Sequence, residues 1–529
     1  MEPSTIFQNL NNPDFYDIPV QSVKILQTHI SYVALTGRYA YKIKKPVNFG
    51  FLDFSTLEKR KFFCEEELRL NKRLCPEIYL GVLPITKQDH KLHVNGKGEI
   101  IEYTLKMKEF SQDTIMTHLL QKGKITEKTM DELCDILVDF YSKDIRTNEK
   151  DSYGAAASVK KNIDENFEQT RDMVGVTIDK DMYEMLQTAN QKFFSQHKAI
   201  FEQRIQDGRI HDCHGDLHSG NIVVDKKINI FDCIEFNNRF RYCDVASDIG
   251  FLAMDLDYLN HPYLSSYLII DYVRKSGDTD IFSVLNFYKS YRAYVRGKVI
   301  GFQLNDPHVE EEKKKSITTL TKNYFRLARY YAELFSLNLV NHGPFIFVVC
   351  GLSGTGKSTV AQKIAIDYHA EHINTDIVRK EQAGIDVFER HHDQINTGLY
   401  DPKKVDETYE KVMEKAATIL KKGGNVVLDA TFQKKNTRAL ASRLAKNHHA
   451  TLFIIQCVCP DDIVKQRLEE RIKKKSVSDG RWEIYLNQKK TFEPFTSEEL
   501  VLTMDTSDAS YEYRMEFFTD LVHQVQQVI

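Results

Sequence analysis

No run of about 18 apolar residues occurs anywhere in the 529-residue chain, so no segment is expected to cross a bilayer as a helix. The opening stretch, MEPSTIFQNLNNPDFYDIPV, lacks the basic region followed by an apolar one that marks a secretory signal, which predicts a cytoplasmic protein with no membrane partner. Repeated Cys-x-x-Cys pairs and Cys/His sets at zinc spacing are missing as well. The nine cysteines are scattered from Cys64 to Cys459, with a lone Cys-x-Cys at Cys457 and Cys459, and read as reduced thiols. An excess of one charge is also absent: 72 Lys plus Arg against 75 Asp plus Glu gives −3, so any polyanion site must be local. Internal repeats and low-complexity tracts are lacking. What is present is 42% hydrophobic, 11% aromatic and 28% charged residues, enough apolar material for packed interiors and too little net charge for an expanded chain. At about 150 residues per domain, this length implies three or four compact units.

From His29 to Lys45 the sequence reads as two strands about a turn, HISYVAL, TGR and YAYKIKK, with aromatic and β-branched residues alternating with polar ones and Pro46 ending the second. A helix is predicted from Thr56 to Leu74 by the spacing of Leu57, Phe62, Leu68, Leu70 and Leu74, with Ser55 or Thr56 as its N-cap. Another strand pair follows at VLPITK and IIEYTLKM. Helical sequence then runs from about Thr126 to Phe201, a strand-rich island spans Arg209 to Phe236, and tyrosine-rich helices continue to Leu337. Weak periodicity in SLNLVNHGP, ending in Gly343 and Pro344, places the main domain boundary there. Beyond it the strand-like runs FIFVVC, NVVLDA and TLFIIQCVC alternate with helices, which argues for a parallel sheet covered on both faces. The short lysine runs at 313–315 and 473–475 are too brief to be basic tails.

Gly351-Leu-Ser353-Gly354-Thr355-Gly356-Lys357-Ser358-Thr359 is a complete GxxxxGK[ST] loop between a strand and a helix. Its glycines let backbone amides curl around a phosphate and the helix N-terminus adds positive potential. Lys357 reaches the outer phosphates, and Ser358 can ligate Mg²⁺. Asp429 closes the strand NVVLDA, where a carboxylate would hold the Mg²⁺ shell; the alternative is an ordinary strand-end cap. Arg467 and Arg471, at i and i+4, share a helical face suited to charge developing on a transferred phosphoryl group, or else are solvated partners of Glu469 and Glu470. Asp376 and Arg379, in Asn-Thr-Asp-Ile-Val-Arg after an expected strand AEHIN, resemble the acceptor site of the polynucleotide kinase and zeta-toxin branch of P-loop kinases. The resemblance implies that Asp376 orients or deprotonates the attacking hydroxyl and that Arg379 holds an acceptor-side phosphate. The Arg-x-x-x-Arg lid is similar too.

The N-terminal half carries His214-Gly215-Asp216 with Asn221 five residues after the Asp, then NIFD ending at Asp232. Metal-assisted kinases need such a set: Asp216 to accept a hydroxyl proton, Asn221 and Asp232 to bind Mg²⁺ bridging phosphates. These residues resemble the aminoglycoside phosphotransferase and choline kinase superfamily over about residues 25 to 335. That resemblance implies a strand lysine on the nucleotide phosphates, Lys42 or, two residues on, Lys44, positioned by Glu67 with Glu66 as second choice. It implies that His214 braces the loop and that Asp244 and Asp248 are scaffolding. The glycine-rich GxGxxG cover is missing before Lys42, where only Thr36-Gly37-Arg38 stands. Lys289, Arg292 and Arg296 share a helical face that reads as solvated, with an anionic acceptor as the alternative.

The chain thus resembles bacterial fusions of the two kinase types. The expected fold is an α+β protein-kinase-like bilobal domain followed by an α/β three-layer P-loop kinase domain with a mainly parallel sheet. The expected division is an N-terminal extension at 1–24, the first domain at 25–338, with lobes at about 25–115 and 116–338, and the second at 343–529. The expected activity is ATP- and Mg²⁺-dependent phosphoryl transfer to hydroxyl acceptors. The first site would take a small molecule; the second a small molecule, a nucleotide sugar or a nucleic-acid 5′-hydroxyl. Two readings compete: a nucleotide-binding regulator or toxin component with a non-catalytic first domain, and an ATPase switch in the second.

Overall fold

This computed structural model describes residues 3–50, 52–306, 309–337, 343–389, 397–472, 477–508 and 510–528. The boundary segment 338–342 and the lysine run 473–475 lie outside the described residues. Two compact units result, residues 1–187 with 194–325 and residues 326–529 with 188–193, and the division falls within the helix Glu311–Leu337. Among the described residues no helix is long and apolar enough to cross a membrane.

In the first unit, β1 (Lys24–Gln27), β2 (Ser31–Leu35), β3 (Tyr39–Lys44), β4 (Tyr79–Gln88), β5 (Lys91–Val94) and β6 (Glu99–Lys108) form one antiparallel sheet in the order β1-β2-β3-β6-β4-β5. Gly37, at φ +84°, turns β2 into β3 in a conformation that only glycine adopts freely. Alternation then sorts the side chains of β3. Tyr41 and Ile43 pack with Leu10, Phe15 and Tyr16, so the segment before β1 is part of the core; burying Phe15 or Ile43 contributes about 1.5–3 kcal/mol each. Lys42 and Lys44 face the other way, toward the helix Leu57–Asn71, which packs on β4 and β6. Thr56 caps that helix by accepting from the Lys59 amide at 3.3 Å. Its buried face differs from the expected apolar stripe: Phe62 is 58% exposed, while Arg60, Cys64, Glu67, Leu70 and Asn71 are buried. Polar residues can occupy this face because each finds a partner, Arg60 for example donating to Glu102 at 2.8 Å.

The rest of the first unit is helical apart from two ribbons, β7 (Ile210–Asp212) with β10 (Tyr242–Asp244) and β8 (Ile222–Val224) with β9 (Ile228–Ile230). The helix Val245–Tyr258 is buried at every position from Val245 to Leu256, packed by the helices Pro262–Ser276 and Phe282–Gly301. A sheet with one long helix, joined to a helical region carrying short ribbons, is the two-lobed kinase-like α+β build.

The second unit holds β11 (Phe345–Cys350), β12 (Ala370–Asn374), β13 (Asn425–Asp429), β14 (Thr451–Val458) and β15 (Val501–Asp505), all parallel, in the order β12-β13-β11-β14-β15. All six β11 residues are buried, as a central strand covered on both faces requires. Ile346 and Val348 pack with Val412 and Ala416 of the helix Pro402–Leu420; Phe347, on the opposite face, stacks on Phe453 and meets Tyr368. This is the three-layer P-loop kinase fold, and its functional crevice lies beyond the carboxyl ends of the strands.

Candidate functional site

In the first unit the β3 lysines, the helix Leu57–Asn71 and the segment after β9 converge. Lys42 Nζ donates to Asp232 Oδ1 at 2.6 Å and to Glu67 Oε1 at 2.8 Å. Lys44 Nζ donates to Glu67 Oε2 at 2.6 Å and also pairs with Glu235. Glu66 turns away to Arg69, so Glu67 alone of the two receives the lysines. Asn71, one turn after Glu67, accepts from the Cys233 amide at 2.9 Å, and the Asp232 amide donates to Tyr79 Oη at 3.3 Å. These contacts hold Asp232 at φ +62°, a left-handed conformation that costs a non-glycine residue roughly 1–2 kcal/mol. Burial would raise the Glu67 carboxyl, but the two ammonium groups outweigh it and hold it down to about 2. Burial likewise opposes the Lys42 charge, and Asp232 and Glu67 overcome it and keep the amine protonated.

The loop between β7 and β8 presents the second half of this site. Asn221 Nδ2 donates to Asp216 Oδ2 at 3.1 Å and to the Asp216 carbonyl at 3.0 Å. His218 lies 3.5 Å from the same carboxylate. Against the push of burial, His218, with Arg296 and His214 further off, holds Asp216 well below the usual carboxylate range. Burial lowers the His214 imidazole. Its Nδ1 accepts from the Asp216 amide at 3.3 Å and its Nε2 donates to the Phe231 carbonyl at 2.9 Å, so the ring braces the loop. Asp248 accepts from the His214 amide at 2.7 Å and the Gly215 amide at 2.9 Å, and Asp255, two turns on, from the Ser219 amide at 2.9 Å. Asp244 caps the same helix and pairs with buried Arg204. The basic face of the helix Phe282–Gly301 is not solvated: Lys289 is buried on Asp257 at 2.6 Å, and Arg292 donates to the Gly215 carbonyl at 2.7 Å and to Ser247 at 2.9 Å. Asp255 and Glu235 were not singled out from the sequence; nothing local marks them, because their partners, the Ser219 amide and Lys44, are distant in the chain.

In the second unit, the register aligns Val349 with Asp429 and Asn374 with Asp429, which sets three strand ends level with the loop that begins at Gly351. Gly351 sits at φ +135°, and a Cβ there would fall 2.4 Å from the Cys457 carbonyl, so no other residue fits. The loop then runs into the helix Lys357–Asp367, whose first turn includes Ser358 and Thr359. Lys357 Nζ donates to the Leu352 carbonyl at 2.8 Å, curled over the loop, and burial lowers its amine. Asp429 accepts from Asn374 Nδ2 at 2.6 Å and faces His372 at 3.2 Å. Burial opposes its charge, and His372, Lys357 and a hydrogen bond from Ser358 lower it nonetheless. Thr355 Oγ1 ties back to the Leu352 carbonyl, and Thr506 Oγ1 donates to the Thr355 carbonyl at 2.7 Å. Ser353 offers its amide not to a loop partner but to Gln488 Oε1, at 2.8 Å, from the helix Trp482–Thr491.

Asp376 and Arg379 pair with each other at 2.5 Å on the helix Thr375–Ala383, which Asn374 caps. The Arg379 guanidinium lies over the Tyr400 ring, and Tyr400 Oη donates to Asp479, a buried acid that also meets Lys380. Arg467 and Arg471, expected to share one face, have different surroundings. Arg467 donates to the Thr506 carbonyl at 2.7 Å and to its hydroxyl at 3.0 Å, whereas Arg471 lies close enough to Lys357 to disfavour its charge. Asn374, His372, Gln488 and Thr506 escaped the sequence reading, since each acts on a site residue from another strand or helix.

Residues 346–495 match the protein family described as AAA domain. An uncharacterized protein of Mycobacterium tuberculosis is 29% identical over 453 residues, spanning 85% of this chain and 86% of that protein. Among solved structures, a choline/ethanolamine kinase family protein from Mesorhizobium loti covers 62% of this chain and 99% of its own, at 11% identity and a TM-score of 0.36. A gluconokinase from Sinorhizobium meliloti covers 35% of this chain and 98% of its own, at 17% identity and a TM-score of 0.26.

Proposed function

We propose that the protein is a two-site phosphotransferase that moves the γ-phosphoryl group of ATP to hydroxyl acceptors. One observation carries this reading: each unit holds a half-buried lysine for a phosphate tail, a carboxylate and a polar side chain for a cation, and a further carboxylate for the acceptor. In the first unit these are Lys42, Asp232 with Asn221, and Asp216; in the second, Lys357, Asp429 with Ser358, and Asp376. Phosphoryl transfer asks for little else than positioning and charge neutralisation.

The donor sets fit magnesium. Among the described residues no three His, Cys, Asp or Glu side chains converge as a metal cage; Mg²⁺ takes one or two carboxylates, substrate phosphates and water instead. Asn221 and Asp232 would hold it in the first unit, Ser358 and Asp429 in the second, and it would neutralise charge between the outer phosphates. Asp216, kept ionised by His218, is a weak base, so it orients the acceptor hydroxyl and takes its proton late in the transfer. Asn221 fixes the Asp216 carboxylate and His214 fixes the loop. In the second unit Asp376 takes the acceptor hydroxyl, Arg379 an acceptor-side anion and Arg471 the developing phosphoryl charge, in keeping with the polynucleotide kinase and zeta-toxin resemblance. Arg467, anchored on Thr506, shapes the nucleotide wall.

The test is label transfer from γ-labelled ATP to a panel of polyols, amino alcohols, nucleotide sugars and oligonucleotides, with the full chain, Asp216→Asn and Lys357→Ala. Each variant should lose a different set of labelled products. Hydrolysis without any labelled acceptor would replace this reading with an ATPase switch, and an inert Asp216→Asn substitution would reduce the first unit to a binding module.

A further inference from the structure

Five charged side chains form an unbroken row in the first unit: Asp232, Lys42, Glu67, Lys44 and Glu235, with every neighbouring pair in contact. The row is graded in exposure. The Asp232 side chain is 45% exposed, Lys42 13%, Lys44 1% and Glu67 0%, so only the Asp232 end meets solvent. A single lysine and a single acid would suffice to hold a triphosphate tail. The second lysine, two residues along the same strand and with its ammonium 4.7 Å from the Phe54 ring, reaches neither Asp232 nor the open side.

The chemistry of nucleotide binding explains what the second lysine is for. When a triphosphate and its cation enter, Asp232 must release Lys42 to coordinate the cation, and Lys42 must turn its charge toward phosphate. A buried carboxylate whose only counter-ion is drawn to a ligand is left uncompensated, which is costly in a site closed to water. Glu67 would answer by taking a proton or by keeping Lys42 to itself, and either response weakens the grip on ATP. Lys44 removes the conflict, because it stays on Glu67 whatever Lys42 does. Glu235 in turn balances Lys44. The row thus ends in a carboxylate on each side: Asp232 at the open end, where a divalent cation would enter, and Glu235 in the interior, where burial pushes its carboxyl up.

We propose that Lys44 is a positioning residue that, with Glu235 behind it, holds Glu67 in place and ionised so that Lys42 can be shared with a triphosphate. This rests on reading the first unit as an ATP site. It also bears on the missing glycine-rich cover: with only Thr36-Gly37-Arg38 ahead of Lys42, the phosphate grip depends more heavily on a correctly charged lysine. The other groups facing Glu67 do not supply the second charge. Tyr79 from β4 and the thiols of Cys64 and Cys75 are all pushed upward by burial and stay neutral, and Asp232 and Glu235 are acids.

Calorimetric titration of the full chain with magnesium and a nonhydrolysable ATP analogue, from pH 8 down to the lowest pH at which the parent stays folded, tests this. Lys357→Ala in every sample silences the second site. Lys44→Met combined with Glu235→Gln removes both charges, so that neither is left orphaned. The expected result is an acid limb of binding displaced upward by at least one pH unit, with the melting temperature close to that of the parent, and near-parental binding in Lys44→Arg. A folded double variant whose acid limb does not move overturns the proposal, and so does a double variant that fails to fold while Lys44→Arg behaves as the parent, for Lys44 is then scaffold only. A parent that binds no nucleotide at all refutes the phosphotransferase reading of this unit instead. In that case the ¹³C titration of the Glu67 carboxyl, assigned by its loss in Glu67→Gln, decides the Lys44 coupling. A midpoint raised by a unit or more in the double variant upholds it, and an unchanged midpoint overturns it.

Discussion

On the proposed reading, the two units would meet the same polyanion in opposite ways. The first stores its positive charge on side chains already engaged with acids: Lys42 rests on Glu67 and Asp232 until something displaces it. The second offers backbone, a glycine-bent loop at a helix N-terminus, and its lysine donates to the Leu352 carbonyl. Charge held in ion pairs depends on protonation and on an incoming cation; amides at a helix end do not. The first site should therefore be the more sensitive to pH and to magnesium, and the second to anything that alters loop shape.

The largest effect should come from Asp216→Asn, which removes the proton acceptor while keeping the Asn221 contact. Turnover at the first site should fall by about 10²–10⁴-fold, with ATP affinity retained and the second site untouched, as read by product-resolved label transfer. Lys357→Ala should lower turnover at the second site by about 10²–10³-fold through lost charge stabilisation, sparing the first; equal losses at both sites would end the comparison. In Glu67→Ala, Lys42 keeps Asp232 and Lys44 keeps Glu235, but the row is cut in its buried centre. Destabilisation of about 3–5 kcal/mol should appear in the first unit's unfolding and not in the second's, measured by calorimetry of the full chain.

A pH series sharpens the contrast. The Glu67 carboxyl is depressed from its ordinary 4.5 to about 2 in the folded state, so it stabilises the first unit above about pH 4.5, and that contribution fades as pH falls toward 2. Glu67→Gln should flatten the urea-midpoint profile of the first unit across that window relative to the parent. The smallest effect should come from Thr56→Ala, which removes the cap of the helix that carries Glu67; about 1 kcal/mol should be lost, confined to the first unit.

How much of this was legible in the sequence follows the same division. Backbone devices leave local signatures: Gly351, Gly354, Gly356, Lys357 and Ser358 announce the loop because no other residues can shape it. The alternation in β3 and the level ending of β13 at Asp429 were equally readable, as strand periodicity is local. Side-chain networks leave none. The spacing of Leu57, Phe62 and Leu68 located a helix but misjudged its inner face, which turns on Arg60 and Glu67 because their partners lie in β6 and β3. For the same reason Lys289 and Arg292 read as a solvated face, while Asp257 and the Gly215 carbonyl wait inside to receive them. Spacing shows which residues share a face and not what that face meets. Lys42 and Lys44 could not be told apart until the segment after β9 brought Asp232 to one and Glu235 to the other.

The helix Val245–Tyr258 draws three amides of the loop between β7 and β8 onto Asp248 and Asp255. Those hydrogens at His214, Gly215 and Ser219 should swap with deuterium slowly, in step with this helix, which is buried from Val245 to Leu256. The loop that carries Asp216 should thus be as long-lived as the centre of the lobe, and heat or denaturant should release it in the same step that melts the lobe rather than by earlier fraying.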